Sequence, residues 1–244
     1  MLNNLPGNYT AAVFGASGGI GRAFVKALSE DERCAAIFAG ARNAIPAAEK
    51  VTGFAFDLAE EDSIAQAAKG LDERGPVHLV IVATGVLHGE SFGPERSWRE
   101  LDPEVMARVF ALNATGPALI AKHLLDHLPR DETGIFAALS ARVGSIGDNR
   151  LGGWHSYRAS KAALNMMIRN FAIELGRKRK QAISVGLHPG TVDTPLSQPF
   201  QRNVPDDKLF SPEKSAAHLL GVLGNLSAND SGYSYAWDGK RIEW

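Results

Sequence analysis

Short apolar runs recur along the chain, each followed by a stretch whose apolar residues return every three or four positions. The runs have strand length: Thr10–Phe14, Ala35–Gly40, Gly53–Phe56, Val77–Val82, Gly134–Leu139 and Ile183–Leu187. Val77–Val82 is apolar at nearly every position, as a strand covered on both faces requires. The stretches between predict helices from the turn after Phe14 to about Ser29, over Glu61–Leu71, and from Pro103 to about Leu112. Further helices are predicted from about Gly116 to Leu128, over Ser156–Arg179 and over Pro212–Leu223. Asp102 before Pro103 and Ser211 before Pro212 each pair an N-cap residue with a first helical proline. Strands alternating with helices imply βαβ units, right-handed crossovers and a parallel sheet.

Composition narrows this picture. The chain has 244 residues, 45% hydrophobic and 22% charged, with a net charge of −1. That balance provides no overall field to draw it to nucleic acid or to an anionic membrane. Its single cysteine, Cys34, allows no intrachain disulfide, and no run approaches the roughly eighteen apolar residues of a membrane span. With no signal-peptide pattern at the start, the expected location is the cytoplasm. The run Arg177-Lys178-Arg179-Lys180 closes a predicted helix, where cations complement its dipole. His123 and His127 stand four apart but lack a third ligand, so no metal site is expected. Residues 194–210 contain three prolines and mixed polarity and read as a segment over a site, inside a single domain spanning 1–244.

The first chemistry lies directly after the first strand, in Gly15-Ala16-Ser17-Gly18-Gly19-Ile20-Gly21. A side-chain-poor turn that opens a helix lets backbone N–H groups approach a pyrophosphate, and the helix N-terminus adds partial positive charge. The spacing is Gly-x-x-x-Gly-x-Gly through Gly15, Gly19 and Gly21, not G-x-G-x-x-G. In a doubly wound α/β domain of Rossmann type, with about seven mostly parallel strands and helices on both faces, this is where a dinucleotide binds. The second strand ends at Ala39-Gly40-Ala41-Arg42, without the acid that would bond ribose hydroxyls. Arg42 instead suits a 2′-phosphate, which favours NADP(H) over NAD(H). Asp57-Leu58 ends the third strand, where the carboxylate either accepts from an adenine amino group or caps the next helix.

The second chemistry is Tyr157-Arg158-Ala159-Ser160-Lys161. Residues four apart leave one helix face together, and an ammonium beside a phenol favours the phenolate, drawing the phenol's pKa down from about 10. Such a phenol can exchange a proton with a carbonyl oxygen. With Gly15-x-x-x-Gly19-x-Gly21, Asn113, Tyr157-x-x-x-Lys161 and Pro189-Gly190 in this order, the chain resembles the classical short-chain dehydrogenase/reductase family over essentially its full length. Gly144-Ser145-Ile146-Gly147-Asp148-Asn149, Gly152-Gly153-Trp154 and Trp237-Asp238-Gly239-Lys240 resemble its C-factor-like subgroup.

The resemblance implies Tyr157 as acid/base, Lys161 as its tuner and a donor to the nicotinamide ribose, and Asn113 as holder of a relay water. It also implies cofactor contacts from Ser17, Gly18 and Ile20 in the turn, from Ala83, Thr84 and Gly85 after the fourth strand, and from Pro189, Gly190, Val192 and Thr194 after the sixth. Two positions depart from the family pattern. Where the family carries Asn-Ala-Gly at the end of the fourth strand, the chain reads Val82-Ala83-Thr84-Gly85, which keeps the glycine and lacks the asparagine, with Thr84 able to supply some of the hydrogen bonding. Ala141 stands where the family's serine donor would fall, leaving Ser140 or Ser145 as substitutes, or backbone-bonded loop serines, or no donor. Trp154 either packs on substrate or under its loop, and His88 is a further candidate for the cleft.

The expected activity is hydride transfer between NADP(H) and a small-molecule carbonyl or alcohol. The alternative is a dinucleotide-binding signalling or sensor protein with weak or no catalysis, to which Ala141 and the subgroup's name both point. The resemblance also implies a homodimer or homotetramer through helices containing Ala118–Leu128 and Ser156–Arg177.

Overall fold

A computed structural model of the chain describes residues 2–72, 75–202 and 204–244. The six apolar runs become β1 (Tyr9–Phe14), β2 (Cys34–Ala41), β3 (Val51–Ala55), β4 (Leu79–Val82), β5 (Gly134–Leu139) and β6 (Ala182–His188). Two short pieces, β7 (Thr191–Val192) and β8 (Leu209–Phe210), pair only with each other. A strand absent from the sequence reading, β9 (Ser234–Ala236), completes a seven-stranded sheet in the order β3-β2-β1-β4-β5-β6-β9. Three residues are too few to display alternation, which is why β9 left no signal in the pattern. Every neighbouring pair in this sheet is parallel.

Strand alternation divides the core into two layers. On one face Ala11, Val13, Leu79, Ile81, Ile135, Ala137, Ile183 and Val185 pack against α1 (Gly19–Ser29) and α6 (Pro212–Gly224) through Phe24, Leu28, Leu219 and Leu223. On the other, Ala12, Phe14, Val80, Val82, Phe136 and Ala138 meet Ile64, Ile120, Leu124, Leu164 and Ile168. Those partners belong to α2 (Glu61–Asp72), α4 (Gly116–Leu124) and α5 (His155–Lys178). Burial on both sides explains the unbroken apolar strand sequences. β4 starts two residues later than its apolar run because His78 places its ring in the ladder, Nδ1 accepting from the Thr10 amide at 3.2 Å.

The helix ends follow their local chemistry. Asp102 accepts from the amides of Glu104 and Val105, both at 2.9 Å, to open α3 (Pro103–Phe110). Ser211 accepts from Lys214 at 3.1 Å to open α6. The helix expected to reach Leu112 changes pitch after Phe110. A π-helical turn, Ala111–Thr115, joins α3 to α4, with the Gly116 amide donating to the Ala111 carbonyl five residues back. No helix among the described residues is long and apolar enough to cross a membrane.

α5 has no cap of its own. Trp154 sits at its N-cap position in the left-handed region, φ +51°, without a side-chain bond to the helix. The cap comes from the loop after β4, where buried Glu95 accepts from the Ser156 amide and hydroxyl. The Glu95 carbonyl also accepts from the Trp154 amide at 2.5 Å. This carboxylate meets the Ser156 amide at the positive end of the longest helix, one residue before Tyr157.

Candidate active site

The strand order reverses between β1 and β4, and open parallel sheets bind ligands at the carboxyl ends of strands at such a switch point. The glycine turn lies there. Gly15 has φ +88°, and a Cβ on it would press to 2.9 Å on the Thr84 methyl and 3.0 Å on the Ala83 backbone. A Cβ on Gly21 would collide with the Gly15 carbonyl oxygen, so the turn closes on the first turn of α1 only without side chains. The amides of Gly15 and Ala16 donate to Gly40, and Gly18 donates to Gly15. Gly18 caps α1 without a side-chain bond, and no acidic residue occupies the helix's first turn. Gly19 faces Thr194, whose methyl would lie 2.7 Å from an added Cβ. Ser17 is exposed, its carbonyl accepting from Arg22 at 3.1 Å.

Arg42 is exposed just beyond β2. The Asp57 carboxylate accepts from Ala59 at 2.9 Å, a turn two residues on, while Leu58 packs against Gly116. Ala83 donates to Phe14 at 2.8 Å, extending β4 toward the turn. The Thr84 hydroxyl is buried with no partner among the described residues, and the space over Gly15 and Gly19 would be filled by any side chain there. An unmet buried hydroxyl beside a side-chain-free cradle and an uncapped helix terminus fit a dinucleotide's polar backbone.

A cavity of about 280 Å³ opens beside this cradle, with Ile20, Tyr157, Pro189, Gly190, Val192 and Thr194 in its wall. Tyr157 and Lys161 leave the same face of α5, the Lys161 ammonium 5.8 Å from the phenol ring centre. Burial pushes the Tyr157 phenol up to about 12 and the Lys161 ammonium down to about 8. The sequence expectation of a phenol drawn down by its neighbour is therefore corrected for the chain by itself. Lys161 gives a hydrogen bond to the Leu139 carbonyl at 2.7 Å, not to the phenol, and desolvation outweighs its field.

Asn113 is fully buried in the π-helical turn. Its amide group clasps the Val86 backbone, accepting from Val86 N and donating to Val86 O, both at 2.8 Å, and donates to Ser160 at 3.1 Å. Gly85 lies between this clasp and the Lys161 ammonium. Both serine candidates are otherwise engaged. The Ser140 hydroxyl donates to Asn165 Oδ1 of α5 at 2.7 Å. Ser145 donates to the Trp244 carbonyl at 3.3 Å and accepts from Asp148 at 3.0 Å. Ser140 is therefore beside the cavity with its proton turned from it, a correction to the donor role read at that position.

From the 194–210 segment, Thr194, Leu196, Ser197, Phe200 and Val204 line the cavity, with residue 203 outside the described residues. Phe200 packs 5.0 Å from Trp154, which in turn meets Tyr157 edge-on at 6.3 Å. His88 joins from the other side, 5.9 Å from Phe200 and bonded through Nε2 to the Pro195 carbonyl at 3.1 Å. Three contributors escaped the sequence reading: Phe200 in the cover, Glu95 at the α5 terminus, and His188, which lines the cavity. His188 stood immediately before Pro189-Gly190 and Phe200 inside the 194–210 segment, whereas nothing in the sequence marked Glu95.

A family model described as short chain dehydrogenase matches residues 9–205. The chain belongs to the short-chain dehydrogenase family. Among its relatives in that family is the 1-hydroxy-2-glutathionyl-2-methyl-3-butene dehydrogenase of Rhodococcus sp. (strain AD45), 32% identical, over 96% of this chain and 99% of that protein. The C-signal protein of Myxococcus xanthus is also 32% identical, over 70% of this chain and 94% of its own length. Among solved structures, NADPH-bound carbonyl reductase from chicken fatty liver superposes with a TM-score of 0.84 at 26% identity, covering all of this chain and 96% of that one. The chain is accordingly an NAD(P)-dependent oxidoreductase of this family, with the C-factor-like resemblance matched by a relative.

Proposed function

We propose that this short-chain dehydrogenase reduces a small-molecule carbonyl with NADPH, or oxidises the corresponding alcohol, using Tyr157 as the proton donor and acceptor. The observation that carries this reading is the joint position of Tyr157 and the Pro189-Gly190 turn in one cavity beside the glycine cradle. The bound nicotinamide supplies the hydride. A phenol held above neutral pH keeps its proton until negative charge develops on the substrate oxygen, which suits an acid in the reductive direction. As the proton leaves, the Lys161 ammonium stabilises the phenolate through its charge. Asn113 holds the Val86 backbone and, through Ser160, the helix turn between Tyr157 and Lys161. The cover of Trp154 and Phe200 excludes water and offers flat apolar faces to the substrate.

The turn from Gly15 to Gly21 takes the pyrophosphate, with Ser17, Gly18, Gly19 and Ile20 in contact. Arg42 takes a 2′-phosphate, and Asp57 and Leu58 border the adenine. Ala83, Thr84 and Gly85 line the cofactor's path, and Val192 and Thr194 meet the carboxamide. The apolar face of α5 with exposed Met166, Met167 and Ile173 serves a homodimer or homotetramer. The carbonyl reductase in the comparison binds NADPH, which supports the phosphorylated cofactor. A sensor reading, with cofactor bound and little turnover, is favoured by one feature, the alanine at 141.

The test is NADPH consumption by the purified chain across aldehydes, ketones and quinones, with Tyr157→Phe beside the wild type. Loss of turnover by about 10²–10⁴-fold in Tyr157→Phe, with NADPH affinity kept, supports the mechanism. Full activity in that variant refutes it, and binding without turnover in the wild type supports the sensor reading.

A further inference from the structure

A carbonyl oxygen that becomes an alkoxide needs more than one hydrogen bond, and preorganised donors at that point are among the largest contributions to catalysis. Tyr157 provides one. The second cannot come from a side chain at Ala141, and the protons of Ser140 and Ser145 are bonded to Asn165 and Trp244. Thr194 and Ser197, also in the cavity wall, both donate to the Val192 carbonyl.

Of the cavity-lining side chains whose N–H or O–H is not already bonded among the described residues, Thr191 and His188 included, His188 is the one beside position 140. The β5–β6 register pairs Leu139 with Leu187, and Ser140 donates its amide to the Leu187 carbonyl at 2.8 Å, so residues 140 and 188 stand side by side at the strand ends. Ser184 bonds to Ile168 of α5, and Gly186 faces Asn165 of the same helix. Strand alternation then turns His188 to the α5 side, one step nearer the helix end that carries Tyr157. Among the described residues His188 Nδ1 is sealed from solvent with no partner, while Nε2 has none either and is not sealed. A buried acceptor without a donor is tolerated better than a buried N–H without an acceptor, which assigns the ring proton to Nε2.

We propose that His188, through its Nε2–H, is the second hydrogen-bond donor to the substrate carbonyl oxygen, acting where the family's serine hydroxyl is replaced by Ala141. This rests on the carbonyl-reduction reading above. Burial, with the Arg142 charge adding to it and Asp238 opposing, holds the imidazole down to about 4. The ring is therefore neutral at pH 7, and a neutral imidazole polarises a carbonyl without transferring its proton. Tyr157 remains the group whose O–H bond breaks.

The experiment compares wild type, His188→Ala, His188→Gln, Ala141→Ser and the Ala141→Ser/His188→Ala double variant, with NADPH and a carbonyl that the wild type turns over. Loss of one such donor is expected to lower kcat by about 10²–10³-fold, leaving the NADPH KM within about twofold. His188→Gln, which keeps an N–H, should recover part of the loss. A serine introduced at 141 should restore activity at least about tenfold in the His188→Ala background, which a merely structural role of His188 would not permit. Unchanged kcat in His188→Ala overturns the proposal, as does a loss that neither Gln nor the serine relieves. A comparable loss in Thr191→Val with His188→Ala unaffected overturns it too and moves the role to Thr191. Independent of turnover, ¹⁵N spectra of the full chain with NADP⁺ should show His188 neutral and protonated at Nε2 at pH 7. A proton at Nδ1 or an imidazolium there refutes the assignment. Turnover that survives Tyr157→Phe, by contrast, would sink the reaction reading itself.

Discussion

The glycine cradle and the tyrosine cavity are neighbours at one end of the sheet but are built by opposite means. The cradle is backbone, shaped by what is missing: no Cβ on Gly15, none on Gly21, no side-chain cap and no acid in the first turn of α1. The cavity is side chains held by other side chains, with Asn113 on Val86 and Ser160, Ser140 on Asn165, and Glu95 on Ser156. A site of the first kind fails when an atom is added. A site of the second kind fails when a partner is taken away, sometimes from a distant loop.

The sharpest way to break the cradle is Gly21→Val. Its branched side chain would overlap the Gly15 carbonyl, and NADPH affinity is expected to fall by about 10³-fold in a fluorescence titration, worth about 4 kcal/mol. Binding within tenfold of wild type would show that the turn relaxes and that its tightness is not what holds the cofactor.

For the cavity, Lys161→Met tests how strongly burial acts on the ammonium. Between about 8 and the ordinary value of 10.5 the unfolded chain keeps the lysine proton while the folded chain releases it, so stability rises with pH across that window. Urea unfolding from pH 7 to 10.5 should show the wild type gaining up to about 3 kcal/mol relative to the methionine variant. A pH-independent difference would contradict the lowered value. Activity should move the other way in the wild type, falling as the ammonium is lost.

A smaller effect is expected from Glu95→Ala, which leaves the Ser156 amide and hydroxyl unpaired at the start of α5. About 1–3 kcal/mol of stability should go, with kcat falling more than NADPH affinity because Tyr157 is on the next residue. Equal losses in both would argue for general unfolding over misplacement of the phenol. Smallest is Arg42→Ala, expected to weaken NADPH about tenfold and to leave NADH unchanged. Equal loss for both cofactors would remove the basis for preferring the phosphorylated one.

The same contrast explains what could be read from the chain. Gly15, Gly19 and Gly21 were legible because a backbone site is written in local spacing, and the caps Asp102 and Ser211 because a cap lies next to what it caps. Tyr157 and Lys161 were legible as a pair through helical spacing, but their ionisation was not, since burial depends on the whole fold. Ser140 was found, yet the direction of its proton depends on Asn165, twenty-five residues away. Glu95 reaches Ser156 across sixty-one residues, and no periodicity reports such a contact. β9 was missed for its length, and the start of β4 was misjudged because a histidine ring can stand in for a ladder amide's partner.

The widened turn at Ala111–Thr115 makes the rod of α3 and α4 longer by one residue than a regular spiral needs. Deleting a residue there would heal the spiral, an apparent improvement, and would leave Ile120 and Leu124 facing the sheet, because the widened turn absorbs its extra residue locally. What would be lost is the clasp: Asn113 is carried by the widened turn and would let go of Val86. The irregularity thus serves the side chain it presents and not the rod that contains it, and shortening is a change this stretch should resist more firmly than point replacement at its exposed positions.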